Sequence, residues 1–395
     1  MNFLPLCSQS NEPGPIPDVH NATTNPRDCN NISTGAILLA DILPSLFVKL
    51  IAPFLPFWVQ KKDVEEARLQ VWLGEESGDV RIATCVIFAC AGFILVGASE
   101  TAWLAIVGVI ATSFASGLGE VTFLPYSSVF HSNVVSTWAS GTGGAGVLGS
   151  FSYAGLTTLG VSPAASMYIM LVVPVLMAVT FWGILKHPLP VLKNLFGSPR
   201  PLGVQRGSIQ SESPTIVEDK TLMTKLIYIL PLLKYMIPLG LVYFFEYFIN
   251  QGLFELIYFN GIWLDHAEQY RWLQVDYQIG VFISRSSVNL IKIKPLWLLA
   301  VLQGLNVILF TTEVIIYFVP VFWIILIAVL WEGLLGGAAY VNTFYQITKT
   351  IPEDRLEFSL GITTLSDAVG IALAGFLSIP AHNFICGLPL PERSD

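Results

Sequence analysis

Apolar residues run through this chain in long blocks separated by short polar connections. A helix needs about 20 mostly apolar residues to cross a bilayer, and ten blocks meet that length: 35–56, 81–99, 102–125, 141–160, 165–186, 226–258, 270–291, 296–313, 316–346 and 356–381. The pattern predicts an all-α polytopic membrane protein of about ten spans. Pro44 and Pro238 fall inside spans, where neighbouring helices can satisfy the backbone groups that proline frees. The longest connection, 187–225, carries Ser198, Pro199, Pro201, Ser208, Ser211, Ser213 and Pro214 and reads as a mobile linker. It divides the chain into a polar segment 1–34, a five-helix half 35–186, the linker, a second five-helix half 226–381 and a tail 382–395.

The halves show a weak internal repeat. Gly117-Leu118-Gly119-Glu120 in the third span is matched, 216 positions on, by Gly333 within Glu332-Gly333-Leu334-Leu335-Gly336-Gly337. Parallel repeats of this kind are expected of major-facilitator-type transporters. The repeat makes the connection 57–80 about 18 residues too long, and that excess reads as a solvent-exposed cytosolic insertion.

Composition agrees with the spans: of 395 residues, 53% are hydrophobic and 12% charged, with a mean hydropathy of +0.65. Soluble domains carry about 25% charged residues. A net charge of −8 leaves no basic stripe for nucleic acid. The charges are also sorted. With the N-terminus placed in the lumen, fourteen of the twenty basic residues fall on the cytosolic side, and only Arg27 and Arg393 on the other, with Arg271 at the boundary. Two sequons, at Asn21 and Asn31, agree, because glycosylation is lumenal. Nothing ahead of residue 35 explains how a polar segment would cross the membrane, so an upstream helix is expected to be missing. Of the five cysteines, Cys85 and Cys90 lie in an apolar run. Cys7 and Cys29 share one polar segment and could pair.

No catalytic motif or metal site is legible, and no cofactor is expected. Gly141-Thr142-Gly143-Gly144-Ala145-Gly146 matches G-x-G-x-x-G but lacks the strand and acidic residue of a dinucleotide site; with Gly149 it reads as a helix-packing face. The informative residues are ionisable ones inside spans, each costing about 2.5–3.5 kcal/mol at a helix centre. The acids are Asp41, Glu120, Glu246, Glu255, Asp276, Glu332 and Asp367, and the bases Lys49, Lys234 and Arg285. Lys234 lies near a span end and can snorkel. Tyr243, Glu246, Tyr247, Asn250, Gln251 and Glu255 recur at helical spacing as a polar stripe that fits a substrate cavity or helix–helix hydrogen bonding. Arg285, in Ser284-Arg285-Ser286-Ser287, suits a phosphate or carboxylate; a structural ion pair with Glu120 is the alternative. Asp41, Glu120, Asp276, Glu332 and Asp367 are candidates for proton coupling.

These segments resemble the battenin family, lysosomal membrane proteins of the neuronal ceroid lipofuscinosis group. The resemblance rests on Leu39-Ala40-Asp41-Ile42-Leu43-Pro44, Ser116 to Phe123, Ser140 to Gly146, Glu246 to Leu256, Gln269-Tyr270-Arg271-Trp272, Ser284 to Ser287 and Glu332 to Phe344, and covers most of residues 28–385. It implies a major-facilitator-like fold in lysosomes and late endosomes, among their membrane lipids. It further implies a role in clearing glycerophosphodiesters, which are small anionic metabolites, with links to lysosomal pH, autophagy, basic amino-acid transport and post-Golgi traffic. The alternative it leaves open is a non-transporting scaffold whose linker binds trafficking partners. Family members begin with a further helix that this sequence lacks, and the family's connection at 57–80 is short. The family's prenylation box is absent here, and its acidic dileucine-type sorting signal finds a weak match in Glu218, Leu222 and Met223.

Overall fold

The computed structural model describes residues 27, 29, 33–51, 67–127, 133–185, 228–288 and 290–391. The sequons Asn21 and Asn31, Cys7, the linker 187–225 and its sorting residues Glu218, Leu222 and Met223 lie outside the described residues. The described residues form helices α1 Thr34–Ile51, α2 Ala67–Gly97, α3 Ala102–Ser127, α4 Asn133–Thr158, α5 Pro163–Ile169 and α6 Val172–Ala178 in the first half. The second half holds α7 Leu233–Phe248, α8 His266–Ser286, α9 Leu296–Ile316, α10 Phe322–Thr350 and α11 Glu353–Cys386. Among these residues there is no strand.

Among the described residues, eight segments are long and apolar enough to cross a membrane. The two expected spans missing from that number are α4, 26 residues, and α8, 21 residues. Both are long enough but too polar. Each packs on the other, and α1 packs on α11, so these two pairs form the seam between the halves. The described residues thus form a two-half helical bundle, and its least apolar helices are those withdrawn into the seam.

The internal repeat has a physical basis. A Cβ on Gly117 would lie 2.7 Å from Ser45 Cα of α1, and a Cβ on Gly333 would run into the Tyr277 carbonyl of α8. Each glycine lets the long helix it sits on approach the seam helix of its own half. Gly143 likewise faces Phe282 and Arg285 of α8, and Gly146 faces Gln278, whereas Gly141 and Gly149 face open space. The packing reading therefore holds for Gly143 and Gly146 and not for Gly141 or Gly149.

Three elements depart from the expected spans. Part of the segment 57–80 is not a loop, because α2 runs back unbroken to Ala67; residues 52–66 lie outside the described part. Span 165–186 divides at Met170–Leu171 into α5 and α6, with Pro174 removing a helical donor just beyond the break. Span 226–258 is not one uniform helix: α7 passes into a π-helical turn at Ile249–Leu253 and a tight turn at Phe254–Leu256.

One face of the membrane gathers the start of α1 and the ends of α9 and α11. Cys29 is disulfide-bonded to Cys386, not to Cys7. Arg27 donates to the carbonyls of Val314, Ile315, Leu388 and Pro389, so a cation caps the last turn of α9, where its charge is favourable. The N-terminal segment and the end of α11 therefore share one face.

Candidate functional site

α8 brings Arg285 to the seam. The helix is started by a capping box: the Asp265 carboxylate accepts from the Glu268 N–H (2.6 Å) and the Asp265 N–H donates to the Glu268 carboxylate (3.2 Å). Arg285 lies in its last turn, where the helix dipole favours a cation. Nη1 donates to Thr142 Oγ1 of α4 at 2.7 Å, and Nη2 donates to Tyr243 OH of α7 at 2.9 Å. The guanidinium also lies over the Tyr340 ring of α10, 4.2 Å from its centroid. Its Nε is buried without a partner. Among the described residues no carboxylate lies within ion-pair distance of it.

The alternative pairing of Arg285 with Glu120 is therefore not the one formed. Glu120 of α3 is taken by Lys49 of α1, at 2.7 Å, and Lys49 also reaches Asp367 of α11, at 3.2 Å. Lys49 is 3% exposed. Tyr340 joins the two cations, since its hydroxyl donates to Glu120 (3.4 Å) while its ring carries Arg285. The network crosses both halves, and its two acids balance its two bases. What distinguishes Arg285 is the neutrality of everything it touches.

The polar stripe does not open onto one cavity. A π-helical turn inserts an extra residue into the helical repeat, so residues beyond Phe248 face new directions. Tyr243 and Tyr247 stack at 6.1 Å between centroids, on the Arg285 side. Glu246 and Asn250 turn into the second half. There Glu246 accepts from Tyr277 OH of α8, and Asn250 Nδ2 donates to Glu332 of α10. Gln251 and Glu255 belong to the disulfide end: Gln251 accepts from Tyr270 OH and, through its carbonyl, from Thr34 Oγ1. Glu255 lies 3.4 Å from His382 Nε2.

Of the proton-coupling candidates, Glu120 and Asp367 are spent on Lys49. Glu332 is fully buried among neutral amides. Asp276 is half-buried, with Oδ2 unpartnered, and Asp41 is half-buried on α1 beside Ser113, which donates to its carbonyl. His382, Cys29 and Cys386 lie close enough to suggest a metal site, but both sulfurs are used in the disulfide. Thr142, Tyr340, Tyr277 and Gln303 contribute to these contacts without any mark in the sequence. Only the glycine runs beside Thr142 and Tyr340 hinted that helices approach closely there.

Residues 19–388 match the model of the CLN3 protein family. The chain is 40% identical over 386 residues to Battenin of Canis lupus familiaris, covering 95% of this chain and 83% of that protein. It is 33% identical over 405 residues to Protein BTN1 of Chaetomium globosum, covering 92% and 84%. Among solved structures it is similar to the fucose:proton symporter of E. coli, with a TM-score of 0.39, 14% identity and coverage of 89% and 95%. So loose a likeness decides nothing, and the two-half architecture rests on the helix pairing described above.

Proposed function

The chain belongs to the CLN3 protein family, and from that premise we propose that it is a lysosomal and late-endosomal transporter for small anionic products of lipid breakdown, glycerophosphodiesters in the first place. Its two halves would rock about the seam to expose Arg285 alternately to either side. One observation carries this reading. Arg285 sits at the seam, bonded only to hydroxyls and a ring, with Nε unpartnered. The planar fork of arginine matches two oxygens of a phosphodiester. A phosphate could displace Thr142 and Tyr243 without uncovering any buried carboxylate, because none is paired there. Lys49 offers no such exchange, since removing it from Glu120 and Asp367 would strand both.

The test is uptake of a labelled glycerophosphodiester by purified protein in acidic-inside vesicles. Uptake by the wild type and its loss in Arg285→Ala and Arg285→Lys supports the reading, because lysine cannot supply a two-pronged contact. Uptake undiminished in Arg285→Ala refutes the role of Arg285, and absence of uptake by the wild type refutes the transport reading. The same site would serve other functions attached to the family, in lysosomal pH, autophagy and basic amino-acid handling, only indirectly, through the loss of this flux.

A further inference from the structure

Apart from the Arg285 site, two acids buried in the second half, Glu246 and Glu332, have no base within ion-pair distance among the described residues. Glu246 is 1% exposed and Glu332 0%. They lie within about one helical turn of each other, because a Cβ on Gly336, one turn past Glu332, would run into the Glu246 carboxylate. The titratable and charged groups around them are Tyr277 of α8, which donates to Glu246, Tyr247 of α7, and, acting on Glu246 at longer range, Arg285 of α8 and Asp367 of α11. From α9, Gln303 Nε2 donates to Glu332 Oε1 at 2.8 Å, and Asn306 supports Gln303 at 3.1 Å. Of the seam cations, Lys49 is paired with Glu120 and Asp367, and Arg285 bonds Thr142 and Tyr243 while its charge reaches Glu246 only at longer range.

Asn250 makes the decisive contact. Its Nδ2 donates to Glu332 Oε1 at 3.2 Å. The other oxygens of the pair, Asn250 Oδ1 and Glu332 Oε2, are both buried and both without a hydrogen-bond partner. A carboxamide and a carboxylic acid join in a ring through two hydrogen bonds, N–H to C=O and O–H to C=O. Here the first bond is present, and the two oxygens that the second would join are both buried and unpartnered. Orphaned buried acceptors are costly, and a single proton on Glu332 Oε2, donated to Asn250 Oδ1, would serve both.

We propose that Glu332 binds a proton shared with Asn250, and that this acid–amide pair is a proton site inside the second half. Asn250 lies in the π-helical turn of α7, an irregularity often found at functional positions. Loss of the proton would leave two acceptor oxygens opposed and push Asn250 off α10. The site therefore couples a proton to the geometry of the helix that also carries Tyr243, the partner of Arg285. The proposal does not need the substrate to be a glycerophosphodiester.

Difference infrared spectroscopy of the purified full chain across a pH titration tests it without a transport assay. The wild type should show the carbonyl stretch of a neutral carboxylic acid, shifted in heavy water. Glu332→Gln should lack that band yet fold and melt normally, because a glutamine amide can itself donate to Asn250 Oδ1. Asn250→Leu should keep the band but shift its frequency. A band that survives unchanged in Glu332→Gln overturns the assignment to Glu332, and one indifferent to Asn250→Leu overturns the shared proton.

Discussion

Lys49 is fully enclosed between two carboxylates, whereas Arg285, half-buried, is held by two hydroxyls and an aromatic face. Both occupy the seam, and Tyr340 touches both environments. The difference between them is one of replaceability. A buried ion pair broken from one side strands the partner charge, so Lys49 is fixed in place. Hydroxyls survive the loss of a cation by turning to water or to a ligand, so Arg285 is free to change partners. Position in the membrane is similar for the two; the company each keeps separates a structural cation from a recognising one.

Substitutions can break this comparison. Lys49→Met leaves Glu120 and Asp367 without their cation, and stranding buried charge costs about 3–5 kcal/mol. The expected result is loss of most folded protein, read by detergent thermal melts and size-exclusion yield. Adding Glu120→Gln and Asp367→Asn to Lys49→Met should recover much of that loss. Full stability of Lys49→Met alone would erase the distinction drawn here.

Cys29→Ser opens the tie between the N-terminal segment and the end of α11. Removing a native disulfide costs about 2–5 kcal/mol, and the same melts should show it only under non-reducing conditions. Gly333→Ala drives a methyl into the Tyr277 carbonyl, an overpacking worth about 1–3 kcal/mol. Gly149→Ala, facing open space, should be close to neutral. Arg285→Ala should cost much less than Lys49→Met. It forfeits two hydrogen bonds and a ring contact but strands no charge, about 1–2 kcal/mol in all. A loss as large as that of Lys49→Met would make Arg285 structural.

Much of the fold was legible in the sequence because membrane helices advertise themselves by length and apolarity. The two helices that advertise least, α4 and α8, were still found, and their polarity turns out to mark the seam. The glycines at 117 and 333, read from the sequence only as a repeat, prove to be points of close approach, since a missing side chain is a statement about a neighbour. Pairing was not legible. Lys49, Arg285 and Glu120 were all visible as costly charges, but which base takes Glu120 depends on helix rotation, which residue types do not encode. The stripe from Tyr243 to Glu255 failed as a single face because the π-helical turn at 249–253 changes the repeat halfway along. Cys29 joins Cys386 across 357 positions, a closure that only the assembled bundle brings about.

The account turns on Arg285 recognising an anion, and equilibrium binding tests that most directly. A radiolabelled glycerophosphodiester would be titrated against purified wild type and Arg285→Ala, both at a temperature well below their melts. A hydrogen bond to a charged group contributes about 1.5–3 kcal/mol, so the substitution should weaken binding by about tenfold to a hundredfold. Equal affinity in the two proteins would contradict the account.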